Sequence, residues 1–298
     1  MIRRNYAYIA ATLVSILYGV TFTVAKDVMP NYIMPFGFIL LRVFGATILF
    51  WAFAFLGPKE KIAWVDYPRI FFAAFFGVAL NMLTFFKGLS YTSPIMGAVL
   101  MCTTPMIVLV LSAFMLRERL APQKIIGLVL GLIGTAVLIL YGKSMHNAPH
   151  ASVGNLLVFI NAISYGFYLI LVKKLMNKYN AFTFVKWIYT FGLALVIPFG
   201  WQEFEAISWQ LIPMSIYYKI VFIVVGSTFL TYLLNLVSMR QLKPTTVSVF
   251  IYLQPLFASV FAIGLGKDEI SVVKLTAALL IFTGVYLVTQ NKEAQAKA

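Results

Sequence analysis

Thr228, Thr231, Tyr232, Asn235 and Ser238 recur at i, i+3, i+4, i+7 and i+10, the spacing of one face of an α-helix. Hydroxyl and amide groups in such a row can donate and accept hydrogen bonds, which suits reversible recognition of a small polar molecule. Similar sets occur elsewhere: Tyr18; Asn81 and Thr84 with Gly77 and Gly88; Asn161, Ser164, Tyr165 and Tyr168; Ser248, Tyr252 and Ser259, with Gln254 beside Pro255. Groups suited to bond-breaking chemistry lie apart from these rows. The 9 Asp and Glu fall between or at the ends of apolar runs, and Cys102 sits alone inside one. His146 and His150 share one short linker in which Pro149 argues against the helix that would bring them together. No apolar run holds a nucleophile with a base, paired carboxylates or a metal-ligand set, so neither enzyme activity, cofactor nor metal is expected.

The elements that carry these residues must be membrane helices. Charged residues make up 11% of the 298-residue chain and hydrophobic ones 62%, with a mean hydropathy of +0.93, against roughly 25% charged in a soluble domain. Apolar runs of about 20 residues, the length that crosses a bilayer, fall at roughly 7–26, 34–56, 68–86, 92–116, 123–141, 153–174, 182–200, 215–238, 244–265 and 271–289. In hydrocarbon every backbone N–H and C=O needs an internal partner, and no strand-like alternation is visible, so the runs read as helices. The first is too long for a signal peptide and is expected to stay attached. The net charge of +14 is scattered in short clusters between runs and does not form a nucleic-acid stripe; the expected partners are the lipid bilayer and a small-molecule substrate, with no nucleic acid. With the N-terminus inside, sixteen of the 23 Lys and Arg fall on one side, six on the other, and Arg42 within the second run. The positive-inside rule then puts both termini in the cytoplasm, in a bacterial inner membrane.

The two halves of the chain repeat each other. Tyr18, Gly19 and Lys26 recur 147 residues later as Tyr165, Gly166 and Lys173; Pro94, Pro105 and Gly134 recur 150 residues later as Pro244, Pro255 and Gly284. Glu118 in its turn matches Asp268 in the second half, and these paired acids are expected to cap or pair near helix ends. Repeats of five crossings face opposite ways, the arrangement that lets two halves exchange shapes between outward-open and inward-open forms. The expected units are 7–141 and 153–289, with short cytoplasmic tails at 1–6 and 290–298. Pro105 and Pro255 fall mid-span, where each removes a helix hydrogen bond, and are candidate hinge or gating points.

Leu17-Tyr18-Gly19, Arg42, Gly88-Leu89, Pro94, Pro105, Glu118-Arg119-Leu120, Gln123 and Gly127 in the first half, with Pro255, Asp268-Glu269-Ile270-Ser271 and the segment Leu279 to Tyr286 in the second, together resemble the EamA-type branch of the drug/metabolite transporter superfamily. Tyr18 departs from it, standing where the family often has Trp, as does Lys267, where a Gly often precedes the acidic turn. The resemblance implies an all-α integral membrane fold of ten transmembrane helices, arranged as two inverted five-helix repeats around a central cavity lined by spans 1, 3, 4, 6, 8 and 9. It implies export or exchange of small metabolites such as amino acids. A channel, or a membrane scaffold or sensor, is the competing class. On this reading Tyr18, Asn81, Thr84, Asn161, Tyr165, Tyr168, Thr228, Thr231, Tyr232, Asn235, Tyr252 and Gln254 line the cavity, while the same residues fit equally as interhelical contacts. Arg42, Lys26 and Lys87 would suit a carboxylate, but snorkelling to headgroups accounts for them without a ligand.

Overall fold

The computed structural model describes residues 4–91, 100–118, 121–140, 151–264 and 271–290, and among them the chain is helical with no strand. Pro94, Asp268, Glu269, His146 and His150 lie outside the described residues, as does the side chain of Lys26. Among the described residues ten helical rods follow in chain order: α1 (Arg4–Val28), α2 (Pro35–Phe53), α3 (67–91), α4 (Thr104–Leu116), α5 (Pro122–Leu140), α6 (Ala151–Met176), α7 (Ala181–Glu205), α8 (Met214–Gln241), α9 (244–264) and α10 (Val272–Thr289). Seven stretches of them are long and apolar enough to cross a membrane, with two shorter apolar helices at Thr104–Leu116 and Pro122–Val137. Phe44, Ile48, Phe114, Leu279 and Phe282 are exposed on the outside of the bundle, as a hydrocarbon solvent permits.

Neighbour relations obey the repeat. α2 packs on its counterpart α7, α5 on its counterpart α10, and α4 on its counterpart α9. The pairs α3–α6 and α8–α1 exchange under the same operation, as do α4–α6 with α9–α1 and α3–α7 with α8–α2. Helix ends are fastened in the same reciprocal way. Glu203 at the end of α7 accepts from the N–H groups of Phe36 and Gly37 at 2.7 and 3.0 Å, while Glu60 beyond α2 accepts from Asn180 N–H and the Thr183 hydroxyl, both at 2.8 Å. Each carboxylate satisfies donors that the first turn of the partner helix cannot satisfy itself.

The α5–α10 seam is a backbone contact. A Cβ on Gly284 would lie 2.5 Å from the carbonyl oxygen of Gly127, and one on Gly127 would lie 2.7 Å from that of Gly284. Only glycine permits that approach, the usual device where no hydrophobic force draws helices together.

Regular α-geometry fails at matching places. α3 carries a π-helical segment, Phe75–Ala79, and α8 carries one at Phe222–Leu230, which overlap at the 150-residue shift. α9 consists of Pro244–Val249, a 3-10 turn at Phe250–Tyr252, and Leu253–Gly264. Its counterpart α4 is preceded by a 3-10 bond from Thr103 N–H to the Leu100 carbonyl, 3.0 Å. The prolines therefore act differently from a mid-helix kink. Pro105 stands in the first turn after the break and Pro255 two residues into Leu253–Gly264, positions where a missing N–H forfeits little. The break precedes the proline in both halves.

Candidate functional site

The π segments shape the centre of the bundle, because widening a helix by one residue frees carbonyls that other groups must satisfy. In α3, the carbonyl of Phe76 accepts from the Ser164 hydroxyl of α6 at 2.6 Å and that of Gly77 accepts from the Tyr232 hydroxyl of α8 at 2.7 Å. In α8, Thr228 donates to the Ile223 carbonyl five residues back at 2.8 Å and accepts from Arg42 Nε of α2 at 3.0 Å.

Around that layer the tyrosines collect. Ring centroids of Tyr165 and Tyr168 are 6.0 Å apart, those of Tyr168 and Tyr232 5.9 Å, and those of Tyr189 and Tyr232 5.0 Å. Tyr18 comes from α1 and lies beside Thr231 and Arg42. Next to it is a small, partly open cavity of about 10 Å³ lined by Tyr18, Ser15 and Val14 of α1, Tyr165 of α6, Asn235 of α8, and Phe250 and Gln254 of α9, among others. That volume holds about one water molecule, so the walls of the central space are nearly in contact. The Ser15 hydroxyl donates to the carbonyl of Phe250 at 2.8 Å, tying α1 to the break in α9.

Of the residues expected on a cavity wall, Tyr18, Tyr165, Asn235 and Gln254 line this space together. Thr228, Thr231, Tyr232 and Tyr168 are buried in the layer beside it. Asn81 and Asn161 join α3 to α6: the Asn161 amide donates to the Asn81 carbonyl at 2.6 Å, and the Asn81 amide returns a bond to the Asn161 carbonyl at 3.4 Å. Thr84 bonds its own helix at Leu80, 2.7 Å. Tyr252 is placed elsewhere, fully buried against Gly131 of α5. Pro105 is buried and Pro255 half-buried, each beside its helix break.

Two residues gain a role that their types and positions did not announce. Arg42 does not snorkel: it is 7% exposed, deep among the helices, whereas Lys87 is exposed and rests over the Tyr91 ring at 4.8 Å. Tyr189 of α7 is fully buried, its ring 5.0 Å from that of Tyr232 and 4.5 Å from that of Phe50, within electrostatic reach of Arg42, and among the described residues its hydroxyl makes no hydrogen bond of regular geometry. A row of polar residues would not have found Tyr189, because the buried positions that follow it on α7, Gly192, Val196 and Gly200, are apolar.

One end of the bundle is closed by charge. Glu118 accepts from Lys124 at 2.7 Å and from the Thr245 hydroxyl at 2.8 Å, and Lys173 donates to the carbonyls of Met239 and Leu242. These contacts join α4, α5, α6, α8 and α9. Among the described residues no three His, Cys, Asp or Glu gather where a metal ion could be held.

The EamA-like transporter family matches the chain twice, over residues 5–140 and 152–290. A protein of Archaeoglobus fulgidus called an uncharacterized transporter is 25% identical over 286 residues, covering 96% of this chain and 99% of its own. YoaV of Bacillus subtilis, also called an uncharacterized transporter, is 25% identical with 93% and 94% covered, and a WAT1-related protein of Arabidopsis thaliana is 24% identical with 97% and 91% covered. A crystal structure of another protein, 18% identical, superposes with a TM-score of 0.76 over 96% of this chain and 97% of its own, a likeness of fold. With two family matches spanning its two five-helix halves, the chain belongs to the EamA-like transporter family and is an integral membrane transporter.

Proposed function

We propose that the protein moves a small metabolite across the bilayer by alternating access, with the Tyr18–Tyr165–Asn235–Gln254 space as the binding position. The observation that carries this reading is the pairing of irregularities. π segments in α3 and α8, and 3-10 breaks at the head of α4 and within α9, occupy exchanged positions around one polar centre. Helices broken in matched places supply joints about which the halves move, with hydroxyls of neighbouring residues holding the freed carbonyls in this conformation. With both termini in the cytoplasm, the Glu118 contacts lie at the cytoplasmic end and form the inner gate. The two repeats span 7–141 and 153–289. Export or exchange of amino acids and related metabolites fits a centre of this polarity. The acids among the described residues stand at helix ends, which favours exchange or facilitated flow over proton coupling.

The test is counterflow in proteoliposomes. Vesicles preloaded with a mixture of amino acids and organic acids should take up radiolabelled members of the mixture faster than empty vesicles, saturably and only with protein present. Uptake of every solute equal to that of protein-free vesicles would overturn the reading.

A further inference from the structure

Among the described residues Arg42 is a charge with no carboxylate counter-charge. It is 7% exposed, and the one hydrogen bond its guanidinium makes among the described residues runs from Nε to Thr228. The four N–H donors on its terminal nitrogens are left over. Carboxylates are engaged elsewhere: Asp27, Asp66 and Glu118 pair with Lys or Arg toward the ends of the bundle, and Glu60 and Glu203 hold helix starts. The surroundings of Arg42 are the phenols of Tyr18, Tyr189 and Tyr232, with Phe38 and Phe86 rings at 6.0 Å. Among the described residues the buried Tyr189 hydroxyl makes no hydrogen bond of regular geometry either, with the Tyr232 phenol its nearest polar group.

A guanidinium keeps its proton, so the centre carries a fixed positive charge in a largely buried position. Such a charge is costly unless something negative meets it. Spare donors on both Arg42 and Tyr189 ask for a group rich in acceptors. The Nε bond to Thr228 holds the guanidinium plane and leaves its outer edge, the edge that fits a carboxylate with two parallel bonds. One guanidinium balances one negative charge, which selects a monoanion over a phosphate dianion. Tyr18 belongs both to this layer and to the cavity wall, so the charge borders the binding space. We infer that Arg42, helped by Tyr189, binds the carboxylate of the transported solute, and that the solute is a small organic acid of net negative charge. This rests on the transport reading above and narrows its substrate class.

The experiment follows thermal unfolding of the purified full-length chain in detergent. Acetate, pyruvate and benzoate are compared with chloride at equal ionic strength, and benzamide and benzamidinium serve as uncharged and cationic isosteres of benzoate. At least one carboxylate should raise the melting temperature while both isosteres leave it unchanged. Arg42→Gln should abolish the shift, Arg42→Lys should keep part of it, and Tyr189→Phe should reduce it. Without ligand, Arg42→Gln should melt at or above the wild type, since an uncompensated charge has been removed; a purely structural arginine would give a fall. Absence of a shift with all three carboxylates, equal shifts with the isosteres, or a full shift retained in Arg42→Gln would overturn the inference. If Arg42→Gln does not purify, the Arg42→Lys and Tyr189→Phe shifts decide it, full retention in both overturning the site. Carboxylate stabilisation without counterflow of any solute would remove the transport reading and leave the site. Counterflow confined to neutral or cationic solutes would do the reverse.

Discussion

Tyr232 spans the centre of the protein with a single bond, from its hydroxyl to the Gly77 carbonyl that the π segment of α3 turns outward. Tyr232→Phe removes that bond and keeps the ring packing, so it should cost about 1 kcal/mol and lower the melting temperature by a few degrees in a detergent thermal scan. Thr84→Val, at a residue bonded to its own helix, should change the melting point by less. The spacing of Thr228, Thr231, Tyr232, Asn235 and Ser238 made the inward face of α8 legible in the sequence, and all five are buried. Periodicity gives direction and says nothing of what stands opposite. Thr228 meets Arg42, Tyr232 meets Gly77, and Asn235 alone of the five reaches the cavity. Arg42 was misread for the same reason. One arginine among apolar residues is compatible with a headgroup contact until the surrounding helices, which are remote in sequence, are in place.

At the scale of elements, the α5–α10 seam depends on two glycines in backbone contact. Gly284→Leu places a side chain where the Gly127 and Gly131 backbone lies, and should destabilise the protein by at least the ~1–3 kcal/mol typical of overpacking, read as a lower melting temperature and a smaller monodisperse fraction in size-exclusion chromatography. Phe282→Leu on the exposed face of the same helix should leave both unchanged. The Glu118 contacts make a second prediction. Glu118→Gln weakens the hold on Lys124 and Thr245, so a cysteine at Asn235 in a Cys102→Ala background should react several-fold faster with a water-soluble thiol reagent from that end; an unchanged rate would mean these contacts do not restrain the opening. The helices and their order were readable from apolar length, and the place of the irregular turns was foreshadowed by Pro105 and Pro255. Their form was not. The π segments at Phe75–Ala79 and Phe222–Leu230 contain no proline, and what stabilises them is the long-range bonds their freed carbonyls and hydroxyls make.

For the whole molecule, α2 packs on α7, α5 on α10 and α4 on α9, each helix on its counterpart in the other half, the reciprocity that the proposed exchange of shapes between the halves requires. The charge asymmetry of the loops sets the orientation: a reporter active only outside the cytoplasm, fused after Ala298, should be silent, and activity would reverse the assignment of the ends. With acids confined to helix ends among the described residues, a pH gradient imposed on proteoliposomes should not drive uphill accumulation of solute; accumulation that vanishes when the gradient is dissipated would show proton coupling. Alternating access requires that the space beside Tyr18 and Asn235 face each side of the membrane in turn. The most direct measurement labels a single cysteine at Asn235, in a Cys102→Ala background, with a membrane-impermeant thiol reagent applied to right-side-out and to inside-out vesicles, with and without a transported solute. Alternating access predicts reaction from both sides, with solute shifting the two rates in opposite directions or slowing both, whereas reaction from one side alone, or from neither, under all conditions would contradict it.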